Sequence, residues 1–173
     1  MNFLIRNRPA IGRIRAQMLT GHVIRRAMLV GPLWSGKTTL ARILARYALC
    51  RDRRPGRGDL CGACASCRLE LARHTPSEFR KWSGIEINHL WTWFAKPSNA
   101  ALSTPDFVLF VDDAQHLSRW NRYALLSIID RKQFVVLLAT TPWGAIDRSL
   151  ARRFDNAVYE LRRPDPNDIA ATY

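Results

Sequence analysis

Three runs of apolar residues along the chain each end on residues of another kind. Ala27-Met28-Leu29-Val30 stops at Gly31, Phe107-Val108-Leu109-Phe110-Val111 stops at Asp112-Asp113, and Phe134 to Ala139 stops at Thr140-Thr141. Short apolar runs without alternation predict strands buried on both faces. Phe79 to Trp82 reads as a further short strand after a turn at Thr75-Pro76-Ser77, and Ala157 to Leu161 as the last. Between these runs the apolar positions recur at helical spacing. Thr38 to Cys50 predicts a helix with Leu40, Ile43, Leu44 and Tyr47 on one face. Ser118 to Asp130 predicts another, capped by Ser118, with Trp120, Tyr123, Leu126 and Ile128 or Ile129 facing inward. Glu86 to Phe94 has Ile87, Leu90, Trp91 and Phe94 on one side, and Ala145 to Arg153 reads as a short basic helix. Trp82, Trp91 and Trp93 are assigned to the core rather than to a binding platform. Strands alternating with helices predict an α/β fold: a parallel five-stranded sheet with helices on both faces, in one domain over residues 1–173.

The first break carries the most chemistry. Gly31-Pro32-Leu33-Trp34-Ser35-Gly36-Lys37-Thr38 is a complete G-x-x-x-x-G-K-[ST] phosphate loop, with Thr39 behind it. The preceding run predicts a strand and the following one a helix, as such a loop requires. The glycines let backbone N–H groups wrap a polyphosphate, and the new helix turns its positive end toward the same anion. Lys37 is placed to reach the β- and γ-phosphates of ATP, and the Thr38 hydroxyl to ligate Mg²⁺. Asp112 closes a buried strand beside this loop and is placed to hold Mg²⁺, directly or through water. Asp113 is placed to polarise a water for attack on the γ-phosphate.

A second constellation is built from cysteine. All four cysteines lie in one segment, Cys50 and then Cys61-x-x-Cys64-x-x-Cys67. That spacing suits a structural Zn²⁺ held by four thiolates, with residues 51–59 as the loop that returns Cys50 and His74 as a substitute ligand. Four thiolates leave no open position for catalysis. Composition adds two points. No run approaches the roughly 20 apolar residues of a membrane span, and the arginine-rich start is unlike a secretory signal, so no membrane partner and a cytoplasmic location are expected. The net charge is +13, and residues 1–73 carry fifteen Lys/Arg against three acids, while the remainder carries twelve against eleven. A basic half suits a polyanionic partner, most simply DNA, although arginine-for-lysine bias also has a purely compositional reading.

With these parts in place, the chain resembles the AAA+ core of the bacterial DNA polymerase III clamp-loader subunits, both gamma/tau and delta-prime. The resemblance runs from about residue 20 to residue 163. It rests on Gly31-Pro32 through Ser35-Gly36-Lys37-Thr38-Thr39-Leu40 to Ala45, on Cys50 with Cys61-Gly62-x-Cys64-x-x-Cys67-Arg68, on Phe110 to Ser118, on Asn121-x-x-Ala124-Leu125-Leu126, and on Leu137 to Thr141. A zinc module between the first helix and the second strand is particular to that family. The resemblance implies a three-layer P-loop core, structural zinc on the four cysteines, a Mg²⁺-linked Asp112 and a catalytic acid at Asp113. It implies a γ-phosphate sensor at Thr141 and an arginine finger at Arg152, within Ala151-Arg152-Arg153. It implies a hetero-oligomer of like subunits that uses ATP to open a sliding clamp and grip primed DNA. Four departures qualify it: Trp34 stands for a loop glycine, Asp113 for glutamate, and Ala151 and Arg153 for the serine and cysteine of the finger motif. The chain ends at Tyr173, near where a helical lid would begin, so lid and collar domains are expected to be absent. A degenerate scaffolding subunit with little hydrolysis is the alternative function. A small-molecule kinase is disfavoured, because the cysteine module offers neither an acceptor pocket nor a mobile lid.

Overall fold

In the computed structural model the described residues are 7–64, 67–68, 79–83, 108–130, 135–141, 146–154 and 157–163. Five strands form one sheet: β1 (Arg26–Val30), β2 (Phe79–Ser83), β3 (Val108–Asp112), β4 (Val135–Thr140) and β5 (Val158–Glu160). Their order is β2-β3-β4-β1-β5, and every neighbouring pair is parallel. The helices are α1 (Arg8–Leu19), α2 (Lys37–Leu49), α3 (Arg119–Asp130) and α4 (Arg148–Arg152).

The apolar runs explain the layering. Successive strand residues point to opposite faces, so a run buried on both sides feeds two cores. Ala27 and Leu29 of β1, Val108 and Phe110 of β3, and Val135, Leu137 and Ala139 of β4 pack with α1 and α2. Met28 and Val30, Leu109 and Val111, and Val136 and Leu138 pack on the opposite face with α3 and α4. The sheet is therefore the middle of three layers.

Helix α1 is an element that the hydrophobic pattern did not announce. Ala10, Ile14 and Met18 bury one narrow stripe of it. Polar bonds do the rest. Tyr47 Oη donates to the Met18 carbonyl at 2.6 Å, and Tyr159 Oη to Gln17 Oε1 at 2.9 Å. Buried Asn7, just before α1, accepts from the Arg162 backbone N–H at 2.7 Å and donates to its carbonyl at 3.2 Å.

Helix α3 forms where expected, and the Ser118 hydroxyl accepts the Asn121 N–H at 3.3 Å at its start. Its inner face differs from the expected one. Asn121, Leu125, Ile128 and Ile129 are buried, whereas Trp120 is 80% and Tyr123 52% exposed. A polar residue inside the buried stripe shifted the apparent phase. Helix α4 is shorter than Ala145 to Arg153, because Asp147 caps it by accepting the Ser149 N–H at 2.8 Å. The expected helix at Glu86 to Phe94 with Trp91 and Trp93, the turn at Thr75 to Ser77, and His74 lie outside the described residues.

Candidate functional site

The strand order brings three carboxyl ends together. β4 lies between β1 and β3, with Val30 beside Thr140 and Val111 beside Leu138. Ligand sites in parallel α/β sheets form at such ends. β1 leaves the sheet into the loop of residues 31–36, and Gly36 then starts α2 with φ 88°. A side chain at Gly31 is excluded: a Cβ there would fall 2.4 Å from the Leu161 carbonyl oxygen and 2.7 Å from Ser35 Oγ. The first intrahelical bond near this end runs from Leu40 N to the Gly36 carbonyl at 2.9 Å. The amides of Lys37, Thr38 and Thr39 therefore have no acceptor within the helix and are available to an anion.

These residues open on a cavity of about 410 Å³, lined by Leu33 to Thr39 with Asp112 and Asp113. Lys37 is only 7% exposed, and its ammonium donates to the Gly31 and Pro32 carbonyls, both at 2.7 Å. Burial lowers its pKa, while the charges of Asp112 and Asp113 act in the opposite sense. Thr38 Oγ1 donates to Asp112 Oδ2 at 3.1 Å, so the two proposed Mg²⁺ ligands meet although they lie 74 residues apart. Ser35 Oγ is buried without a hydrogen-bond partner among the described residues, beside Gly31. An orphan hydroxyl, open helix amides and an ammonium in one cavity fit a polyphosphate, and paired Thr38 and Asp112 fit its metal. The departure at Trp34 is accommodated. Trp34 holds φ 66°, a left-handed conformation suited to glycine, with its indole 82% exposed.

Asp113 follows β3 with φ 51°, and its N–H donates to Asp112 Oδ1 at 3.1 Å. Its own carboxylate accepts from Gln115 Nε2 at 3.2 Å. Thr141, the first residue after β4, donates its N–H to Gln115 Oε1 at 3.3 Å. Asp112, Asp113 and Thr141 therefore stand at one end of the sheet with the phosphate loop. Gln115 was not singled out in the sequence. A lone glutamine after two acids forms no pattern, and its partners follow two different strands.

A second group lies at the far end of α2. The Sγ atoms of Cys50, Cys61, Cys64 and Cys67 all lie within 4.8 Å of one another, and the thiols are free. Cys61 to Cys67 is 3.7 Å and Cys64 to Cys50 is 3.9 Å. A tetrahedron with Zn–S near 2.3 Å has edges of about 3.8 Å, so the cluster has the dimensions of a four-thiolate metal site. The Cys64 N–H donates to Cys61 Sγ at 3.3 Å. Burial pushes the Cys67 thiol up to about 12. Burial also opposes ionisation of Cys64, but hydrogen bonds from the Arg51 and Cys67 backbone outweigh it and bring that thiol to about 6. Arg53 Nη1 donates to the carbonyls of Tyr47, Ala48 and Cys50, closing the end of α2 where the module begins.

A sequence profile described as "ATPase family associated with various cellular activities (AAA)" matches residues 27–160. The chain belongs to the AAA ATPase family. Its fold is shared with solved AAA structures at low identity. A mutant of RuvB from Thermotoga maritima is 22% identical with a TM-score of 0.56, over 90% of this chain and 44% of that one. The P-loop NTPase domain of a sigma-54 transport activator from E. coli is 17% identical with a TM-score of 0.54, over 90% and 97%. Domain III of the replication initiation protein DnaA from Thermotoga maritima is 13% identical with a TM-score of 0.57, over 95% and 66%. The chain spans less than half the length of the RuvB chains it matches. No curated protein matches the sequence. Among the described residues no helix is long and apolar enough to cross a membrane.

Two arginines of this AAA ATPase now separate. Arg153 donates through Nε and Nη2 to Asp130, at 3.0 and 3.1 Å, tying α4 to the end of α3. Arg152 is exposed at the last position of α4 and has no partner among the described residues.

Proposed function

We propose that this chain is the nucleotide-binding core of a clamp-loader-type AAA subunit, which uses MgATP to drive loading of a sliding clamp on DNA. One observation carries the reading beyond a general AAA ATPase. A four-cysteine cluster of metal-site dimensions sits between α2 and β2, joined to the phosphate loop by α2 itself. In this reading Zn²⁺ on Cys50, Cys61, Cys64 and Cys67 is structural. Gly31 to Thr39 wraps the phosphates, with Lys37 exchanging its loop carbonyls for β- and γ-phosphate oxygens. Thr38 and Asp112 would hold Mg²⁺, which would supply charge neutralisation at the transferring phosphoryl group. Asp113 orients the attacking water and Thr141 senses the γ-phosphate. Arg152 serves the nucleotide of a neighbouring subunit, and the partners are like subunits in a hetero-oligomer, the sliding clamp and DNA. The DNA partner draws support from the excess of basic residues over positions 1–73.

A scaffolding role with little hydrolysis is favoured by one feature. Asp113 is a methylene shorter than glutamate, and its carboxylate is already engaged by Gln115. Two measurements test these readings. Lys37→Ala removes the charge that faces the phosphates and is expected to abolish MgATP binding by calorimetry, with zinc content unchanged. Equal affinity in both proteins removes the loop as the site. Co-sedimentation with the host sliding clamp in MgATP but not MgADP is expected for a clamp-loader subunit. Absence of that difference leaves a AAA ATPase of another kind.

A further inference from the structure

Gln115 touches both sides of the hydrolytic apparatus. It lies half-buried in the 3-10 turn Ala114–His116. Its Nε2 donates to Asp113 Oδ1 at 3.2 Å, and its Oε1 accepts the Thr141 N–H at 3.3 Å. The partners dictate which end is which, since a carboxylate needs a donor and a backbone N–H needs an acceptor. Asp113 follows β3 and Thr141 follows β4, so one planar amide spans the ends of two adjacent strands. The backbone of Asp113 is also fixed, by the bond from its N–H to Asp112. Its carboxylate is therefore held from one side by the chain and from the other by Gln115. Neither a carboxylate nor an ammonium at position 115 could make both bonds, because the first only accepts when ionised and the second only donates.

We propose that Gln115 is a positioning residue that couples the Thr141 segment to the Asp113 carboxylate. This deepens the ATPase reading and rests on it. A terminal phosphate that draws Thr141 toward itself pulls the Thr141 N–H against Oε1. The rigid amide passes that movement to Nε2 and so to the carboxylate that faces the water. Phosphate sensing and water orientation then become one event instead of two.

The test uses the full chain and two readouts. In amide NMR, Asp113→Asn is expected to displace the Thr141 resonance when Gln115 is present and to leave it in place in the Gln115→Ala background. In single-turnover hydrolysis with partner subunits present, Gln115→Ala is expected to keep ATP affinity within about twofold and to lower the rate about tenfold or more, as for other misplaced catalytic groups. Gln115→Glu retains an acceptor for Thr141 but sets a like charge against Asp113. It is expected to lose the rate while Thr141 stays hydrogen-bonded, which serves if the alanine variant unfolds. Equal displacement of the Thr141 resonance in both backgrounds overturns the coupling, and so does a wild-type rate in Gln115→Ala. If the chain assembled with its partner subunits binds ATP but hydrolyses none in any background, the hydrolytic reading is overturned, and the NMR arm then decides the coupling by itself.

Discussion

Trp34 sits in a conformation that costs a residue with a Cβ about 1–2 kcal/mol. Its indole is 82% exposed, so burial returns little of this. The loop therefore keeps its shape against the preference of Trp34. Trp34→Gly is expected to raise stability by about 0.5–1 kcal/mol, less than the strain removed because glycine is freer in the unfolded chain. Urea unfolding checks this, and a lower midpoint would show that the indole stabilises the loop. Asp113 also has positive φ, and its reach is a second question at the same scale. Asp113→Glu is expected to raise turnover in the assembled complex and Asp113→Asn to lower it. A rate unmoved by either change takes water orientation away from this residue and favours the scaffold. The phosphate loop could be read from the sequence because its spacing is dictated by backbone geometry around an anion. Gln115 could not, because its two bonds exist only once β3 and β4 lie side by side.

Among elements, α2 has the widest reach. It begins at Lys37 in the phosphate loop and ends one residue before Cys50, so one 13-residue helix joins the nucleotide site to the cysteine module. Purified protein is expected to carry about one zinc per chain, released by a thiol-blocking reagent. Structural zinc stabilises small modules by on the order of 10 kcal/mol, so Cys64→Ser should unfold at least the insert. Metal-free protein with unchanged melting and unchanged hydrogen exchange over residues 50–67 would remove zinc from the assignment. The strands were legible because unbroken apolar runs have few other uses. α1 was not, because it buries only every fourth residue and carries Gly12 in its middle. Pro9 near its start and Gly21 just beyond its end were the available signals. The phase of α3 misled for a similar reason. Buried Asn121 reads as surface and exposed Trp120 and Tyr123 read as core, and only the packed sheet decides between them.

At the scale of the whole molecule, hydrolysis is expected to depend on a neighbour. The described part of the site holds Lys37, Thr38, Asp112, Asp113 and Thr141 at one end of the sheet, and among the described residues no arginine lines its cavity. Arginine fingers supply roughly 10³ to 10⁵ in rate in other nucleotide hydrolases, so the isolated chain should be a poor ATPase. The geometry distinguishes two candidates for that role. Arg153 is committed to Asp130 by a two-point bond, and its exposed position makes the pair a modest anchor for α4. Arg152 is exposed beside it with no partner among the described residues. Arg152→Ala should therefore leave ATP binding to its own subunit and the melting temperature unchanged, yet cut the partner-stimulated rate. Arg153→Ala should do the reverse, loosening α4 with less effect on the rate. Mixing places the effect: mutant Arg152 chains are combined with neighbours that alone retain a competent phosphate loop. A loss of turnover in that mixture assigns the arginine to the neighbour's nucleotide. Full turnover would return Arg152 to the role of a solvated residue at the end of a short helix.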